Sequence, residues 1–287
     1  MDHETKEVHT WWEENPFTYK RETGVGLVAT DDLTIEFFDK CEKKLRRHGP
    51  TYQDPGKPLL SNLFDYKKIR GNKVLDIASG TGVTTVEFAR QGCQTTAIDI
   101  TSIAVEMTKK NLGLRGLDAD VYQMDAQHLD FDRNTFDFVC AHGCLMHMPD
   151  TQKAVNEIHR VLKSKGTVYA WMYHKGFYYW FGILFLRGLL KCELFKYKFS
   201  FVRLTSRYSD GAHNNGNPHT TFSSKKETTR YFRDAGFSKV NSMVVFNPIE
   251  FNSFPSKRFS FGQYLPITIK SIVGKVMGLG IVITAEK

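Results

Sequence analysis

From residue 71 the chain settles into short apolar runs separated by stretches in which apolar positions recur every three or four residues. The runs cover 73–78, 95–100, 120–125, 136–141 and 167–173 and favour β-branched and aromatic residues, which suit a half-buried pleated surface. Between them, 83–91, 102–112 and 151–163 carry the helical period. Gly92, Gly113 and Gly166 follow as stop signals, and Asp150 or Thr151 opens the third stretch. Strand and helix in alternation predict a parallel sheet with crossover helices. A helix over 225–235 and alternating runs at 240–246 and 280–285 extend the pattern. Before residue 71, amphipathic stretches such as 33–38 and a turn-rich connector near 50–58 predict helices that cap the core. Residues 177–206 break the rhythm with an aromatic and basic stretch, and a polar loop follows at 209–218. The predicted organisation is a helical cap over 1–70, an α/β core over 71–173, an inserted lid over 174–236, and strands over 237–287 that complete the sheet.

Composition narrows the class. With 287 residues, 41% of them hydrophobic, the chain can bury a full α/β core. Its acidic start, Met1-Asp2-His3-Glu4, lacks the apolar stretch of a secretory leader, and the longest greasy run, 177–186, is shorter than the roughly 20 residues that cross a bilayer. Five cysteines without a C-x-x-C pair argue against a disulfide framework or a zinc ribbon. Cys140 and Cys144 read as buried thiols. A cytoplasmic protein without a metal site is the expectation. The net charge of +8 is unevenly spread: residues 71–173 hold ten basic and twelve acidic side chains, whereas 174–240 hold twelve basic and four acidic. The positive field therefore belongs to the insertion and not to the core, which argues against a body that wraps nucleic acid.

The chemistry sits at the first crossover. After the first run the chain reads Asp76-Ile77-Ala78-Ser79-Gly80-Thr81-Gly82, and a helical stretch begins at once. Glycines there let the backbone turn sharply and lie close to a ligand. The dinucleotide fingerprint asks for a third small residue where this chain has Thr85, and Asp76 would sit badly beside a pyrophosphate. A carboxylate suits an ammonium-bearing ligand such as the methionyl end of S-adenosylmethionine. Asp99 closes the second run at the spacing used for ribose hydroxyls, and Asp125, followed by Ala126-Gln127, closes the third. Ligands of open α/β sheets bind outside the carboxyl ends of the strands, so the three aspartates are expected in one crevice. The alternative for any one of them is a helix or turn cap.

With these residues in place, the stretch from Val74 to Tyr173 resembles the class I S-adenosylmethionine-dependent methyltransferases, especially the broad bacterial-type group that also contains quinone-biosynthesis and natural-product enzymes. The matching segments are 74–82, 97–101, 124–126, 136–139 and 157–163. The resemblance implies a Rossmann-like, mostly parallel seven-stranded sheet with a reversed C-terminal hairpin, and S-adenosylmethionine as cofactor. It places Asp76, Ala78, Gly80 and Gly82 around the methionyl part, Asp99 at the ribose, Ile100 on the adenine, and Asp125 with Ala126 at the adenine edge. Two departures stand out. Ala78 replaces a more usual glycine, a change that removes little room, and Lys163-Ser164-Lys165-Gly166 replaces a Lys-Pro-Gly-Gly turn.

The acceptor side is less defined. His142, after the fourth run, is expected at the mouth of the crevice, either as a proton acceptor or packed on the cofactor. His147 lies a turn further on and reads more as packing. The segment from Trp11 to Tyr19 resembles one that folds over the cofactor in related enzymes, with Tyr19 offering a hydroxyl to the methionyl carboxylate; a hydrophobic staple is the plainer reading. The loop over 210–219 carries an Asp-Gly and a Gly-Asn-Pro found in related enzymes, so Asp210 and His213 are candidate catalytic groups. Tyr173, Asn217 and His219 are candidate substrate contacts. A solvated turn is the alternative. Residues 177–207 would form either a lid with cationic walls, favouring an amphipathic or acidic acceptor, an interfacial helix on anionic lipid, or an ordinary half-buried helix.

Methyl transfer from a sulfonium is an in-line displacement, so alignment can supply much of the rate and a base is needed only when the acceptor must lose a proton. The sequence therefore points to methylation of a small or amphipathic metabolite on oxygen, nitrogen or sulfur. A nucleic-acid methyltransferase, a non-catalytic binding protein with the same fold and, more distantly, a dehydrogenase are the rivals. No RNA-binding module or base-flipping motif supports the first of these.

Overall fold

The computed structural model describes residues 1–18, 30–46, 56–210, 216–245, 255–256, 259–260 and 278–287. Seven strands form one sheet: β1 Lys73–Ile77, β2 Gln94–Asp99, β3 Asp120–Gln123, β4 Phe136–His142, β5 Leu162–Tyr173, β6 Lys239–Val245 and β7 Gly280–Glu286. Their order across the sheet is β3-β2-β1-β4-β5-β7-β6. The first five run parallel, and β7 inserts antiparallel between β5 and β6. A two-residue ribbon, Pro255–Ser256 with Phe259–Ser260, stands apart. This is the Rossmann-like architecture with a reversed C-terminal hairpin that the sequence predicts.

Strand alternation divides the core in two. Leu75, Ile77, Val139, Ala141, Val168 and Ala170 point to the side of α6 Thr151–Val161 and α9 Lys225–Asp234, where Val155, Ile158 and Phe232 meet them. Val74, Phe138, Cys140 and Tyr169 point to the opposite side, where α2 Ile35–Leu45, α3 Tyr66–Ile69 and α4 Val83–Arg90 supply Cys41, Leu45, Tyr66 and Phe88. Because α9 packs on the sheet, it joins the core layer although it falls within 174–236. The insertion proper is a π-helix Tyr178–Leu190 with α7 Glu193–Lys196 and α8 Phe201–Arg207, packed on a cluster of its own around Tyr179, Ile183, Leu204 and Phe222.

Several boundaries differ from the pattern along the chain. Helix α5, Ser102–Leu114, runs through Gly113, and the chain turns at Gly116 in the left-handed region, φ 62°. Strand β5 begins at Leu162, because 162–166 carries straight on from α6 and Leu162 pairs with Phe136 before an irregularity in register. Strand β3 stops at Gln123, so Asp125 lies two residues beyond its end. Helix α1 His3–Glu14, opened by Asp2 accepting from the Thr5 N–H at 2.8 Å, lies over the carboxyl ends of the strands. Among the described residues no helix is long and apolar enough to cross a membrane, and all five cysteines are free.

Candidate active site

A cavity of about 410 Å³ opens beyond the carboxyl ends of β1, β2 and β4, with α1 as its roof; this is within the range of small-molecule sites. Its floor is the loop after β1, where Ala78, Gly80 and Gly82 all have positive φ, at 60°, 56° and 74°. Gly82 starts α4 and faces away from the cavity. A Cβ there would lie 2.8 Å from the Thr108 Cα of α5, so this glycine serves the approach of two helices and not a ligand. Gly80 does line the cavity, and the space around its Cβ position is open. The alanine at 78 costs conformation, not room: an L residue in the left-handed region is strained by about 1–2 kcal/mol.

The carboxylates from β1 and β2 line this cavity with their partners already in place. Asp76, 1% exposed, accepts from the hydroxyls of Thr84 and Thr85, each at 2.7 Å on Oδ2. Thr85, which broke the dinucleotide fingerprint, therefore holds the acid of the site. Burial pushes the Asp76 carboxyl up to about 6 against these bonds and one from Cys140. Asp99 Oδ1 accepts from the Thr101 N–H at 3.0 Å and hydroxyl at 2.8 Å, and Oδ2 accepts from the Gly80 N–H at 3.1 Å. A carboxylate has about four acceptor positions, so Oδ2 retains one. Burial also raises the Asp99 pKa, opposed by the bonds from Thr101 and Gly80. Asp125 Oδ1 accepts from the Gln127 N–H at 2.9 Å, and Ile100, Ala126 and Asp125 all line the cavity.

His142 ends β4 and stacks between Tyr169 and Trp171 of β5, with ring centroids 5.9 and 5.6 Å away. Its Nδ1 lies 2.8 Å from the Tyr169 hydroxyl. Tyr169 is fully buried and burial raises its pKa, so it remains a phenol that must place its proton. Among the described residues its hydroxyl has no other hydrogen-bond partner, and it donates to Nδ1. The ring proton of His142 then sits on Nε2, and burial holds the imidazole down to about 4. This histidine presents a donor, which differs from the proton-accepting role offered by its position in the sequence.

A second polar group joins the cavity from the acceptor side. His147 Nε2 is 3.0 Å from Asp210 Oδ2, and the Tyr173 hydroxyl donates to the same oxygen at 2.8 Å. His147 Nδ1 lies 3.2 Å from both the His219 carbonyl and the Thr220 hydroxyl. Asp210 Oδ1 makes no hydrogen bond among the described residues. The edge of Trp12 from α1 packs on the His147 ring at 5.3 Å.

Asn217 and His219 do not line the cavity. Asn217 is spent inside its loop, donating to the Asp210 carbonyl at 3.0 Å and accepting from Thr220 at 2.7 Å. His219 ties the loop to the roof through Glu4 at 2.8 Å. Tyr19 and His213 lie outside the described residues. Trp12 lines the cavity from the 11–19 segment expected over the cofactor, while His147, read as packing, and Trp171, not singled out, line it as well. The period-two run Tyr169, Trp171, Tyr173 carried the signal for Trp171, since alternate residues share one face of a strand. The value of His147 depends on Asp210, 63 positions away. No lysine or arginine among the described residues lines the cavity, so the cationic walls expected of the lid are not found there.

Residues 75–170 match a family described as a methyltransferase domain. The chain is 39% identical over 104 residues to a ubiquinone/menaquinone biosynthesis C-methyltransferase of Idiomarina loihiensis, covering 34% of this chain and 41% of that protein. It is 30% identical over 168 residues to phosphoethanolamine N-methyltransferase 2 of Caenorhabditis elegans, covering 53% and 38%. It thus spans about two fifths of the length of these relatives. A crystal structure of a methyltransferase from Methanosarcina mazei superposes with a TM-score of 0.51 at 20% identity, over 76% of this chain and 93% of that one, and shows the shared fold. The fold is that of the class I S-adenosylmethionine-dependent methyltransferases. The matched domain is of that class, with S-adenosylmethionine as its cofactor.

Proposed function

We propose that this chain is a cytoplasmic S-adenosylmethionine-dependent methyltransferase acting on a small or amphipathic acceptor. The observation that carries the reading is that Asp76, Asp99 and Asp125 share one cavity with the His147, Asp210 and Tyr173 cluster. That cavity fits the cofactor on its own terms. It is lined by carboxylates, it has open space over Gly80, and Asp99 retains an acceptor position. A dinucleotide fits it badly, because the Gly80 N–H that would face a pyrophosphate is bonded to Asp99 and two carboxylates border the space.

S-adenosylmethionine, when bound, supplies an electrophilic methyl on a sulfonium. Asp99 accepts from the ribose hydroxyls, Asp76 provides negative charge toward the ammonium, and Ile100 with Ala126 flanks the base. Trp12 and Trp171 exclude water and offer ring faces to positive charge. Asp210 is the proton acceptor when the acceptor must be deprotonated: Oδ2 is held by Tyr173 and His147, which leaves Oδ1 for the substrate. His142 orients a ligand through its Nε2–H. Five free cysteines suit a reducing compartment. Calorimetric titration with S-adenosylmethionine and S-adenosylhomocysteine tests the reading. Binding in the micromolar range is expected, and absence of heat at millimolar ligand removes it.

A further inference from the structure

The insertion is the one part of the described molecule whose apolar side chains face outward together. Of sixteen large hydrophobic side chains left exposed among the described residues, eleven lie between Tyr178 and Val202, which makes a patch and not a scatter. The π-helix arranges them. Its buried residues Tyr179, Ile183 and Gly188 step by four or five, and the exposed pairs at 180–181, 185–186 and 189–190 step the same way. On the outer side Phe177 stacks on Phe181 at 4.9 Å, and Phe181 stacks on Phe185 at 5.5 Å. Trp180 is 59% exposed and Leu189 66%.

Charge decides what covers this face. Residues 177–207 hold six basic side chains and one acidic one, Glu193, which is engaged by Arg187 at 3.7 Å. Lys191, Lys196, Lys198 and Arg203 make no ion pair among the described residues. A second copy docking by the same face would set these cations against each other across the two-fold axis. An anionic lipid surface meets both features at once: rings and leucines enter the headgroup boundary, while lysine and arginine stems extend their charges to phosphate and carboxylate. We propose that residues 177–207 form a docking face for a membrane surface rich in anionic phospholipid. The face is independent of the donor half of the cavity, so the proposal goes beyond the methyltransferase reading.

The test is co-sedimentation of the full chain with vesicles of phosphatidylcholine alone and of phosphatidylcholine mixed with phosphatidylserine, at low and high salt. The chain is expected to pellet with the phosphatidylserine vesicles, less so in high salt, and to bind pure phosphatidylcholine weakly. Lys191→Gln combined with Lys198→Gln should lower partitioning roughly thirtyfold, since each cation near such a surface contributes about 1 kcal/mol. Trp180→Ser combined with Leu189→Ser should weaken binding to both vesicle types. Both variants should keep the wild-type melting temperature and affinity for S-adenosylhomocysteine, a readout that bears on the cavity and not on this face. A chain that stays in the supernatant with phosphatidylserine vesicles at low salt overturns the proposal. Variants that bind as the wild type does overturn it equally. So does a concentration-dependent dimer that Trp180→Ser with Leu189→Ser dissociates while vesicle binding is absent, for the face would then be a self-interface.

Discussion

Gly80 and Gly82 stand two residues apart in the same loop, both with positive φ, and an added methyl group should have opposite consequences at the two sites. At Gly82, alanine incurs about 1–2 kcal/mol of left-handed strain and recovers about 0.4–1 kcal/mol through a less flexible unfolded chain. It also drives a Cβ to 2.8 Å from the Thr108 Cα, a backbone atom that cannot turn aside. Overpacking of that kind costs about 1–3 kcal/mol. The sum is a destabilisation of about 3 kcal/mol, or about 5 °C in Tm for a chain of this size. At Gly80 no atom lies within 4 Å of the added Cβ, so only the backbone terms remain and stability should fall by about 1 kcal/mol or less. The methyl group there would occupy cavity space, and affinity for S-adenosylhomocysteine should drop at least about tenfold, the equivalent of about 1.4 kcal/mol. Urea unfolding and calorimetric titration of both variants give the two quantities. Equal stability losses, or a Gly80→Ala protein that binds as tightly as the wild type, would refute the reasoning.

Other expectations follow from the same geometry. Asp99→Ala should weaken S-adenosylhomocysteine binding by tenfold or more, because a charged acceptor worth about 1.5–3 kcal/mol is removed; an unchanged Kd in titration counts against the ribose role. Asp210→Asn should leave that Kd intact yet lower kcat about 10²–10⁴-fold for an acceptor that loses a proton, measured by transfer of labelled methyl. Asp76 makes the unliganded protein sensitive to pH. Its folded pKa of about 6 lies above the ordinary carboxylate value of 3.8, so its favourable contribution is complete below pH 4 and is lost as pH rises through 6. Asp76→Asn should therefore gain about 3 kcal/mol on the wild type at pH 8 and little at pH 4. His142, held at about 4 from 6.5, acts in the opposite sense and is lost as pH falls from 6.5 to 4, but it is common to both proteins and cancels in their difference. Cofactor affinity of the wild type should fall below pH 6 as Asp76 takes up a proton.

What the chain betrays in advance follows physical range. The parallel strands and their crossover helices are local patterns, and 73–77, 94–99 and 136–142 emerge from them nearly residue for residue. Two boundaries moved for different reasons, one tertiary and one local. Leu162 pairs with Phe136 and draws β5 back to the end of α6, and α5 passes Gly113 because the left-handed turn needed is at Gly116. The acid ends of β1 and β2 are legible because strand ends are local. The pairing of His147 with Asp210 is not, since it joins the loop after β4 to the far end of an insertion. The π-helix was equally hidden, because a period near four and a half resembles neither a helical nor an alternating pattern.

The hydrogen bond from Tyr173 to Asp210 fastens together the two points at which the insertion leaves and rejoins the main body. Further bonds at its two ends, from His174 and Lys175 to Leu279, Ser223 and Glu227 and from Thr205 to Thr220, leave the stretch between them packed mainly on its own cluster, where length and composition can change without disturbing the sheet. On the function proposed above, recognition of the acceptor can diversify by exchange of this one cassette, and chimaeras joined at 173 and 210 are the way to test it.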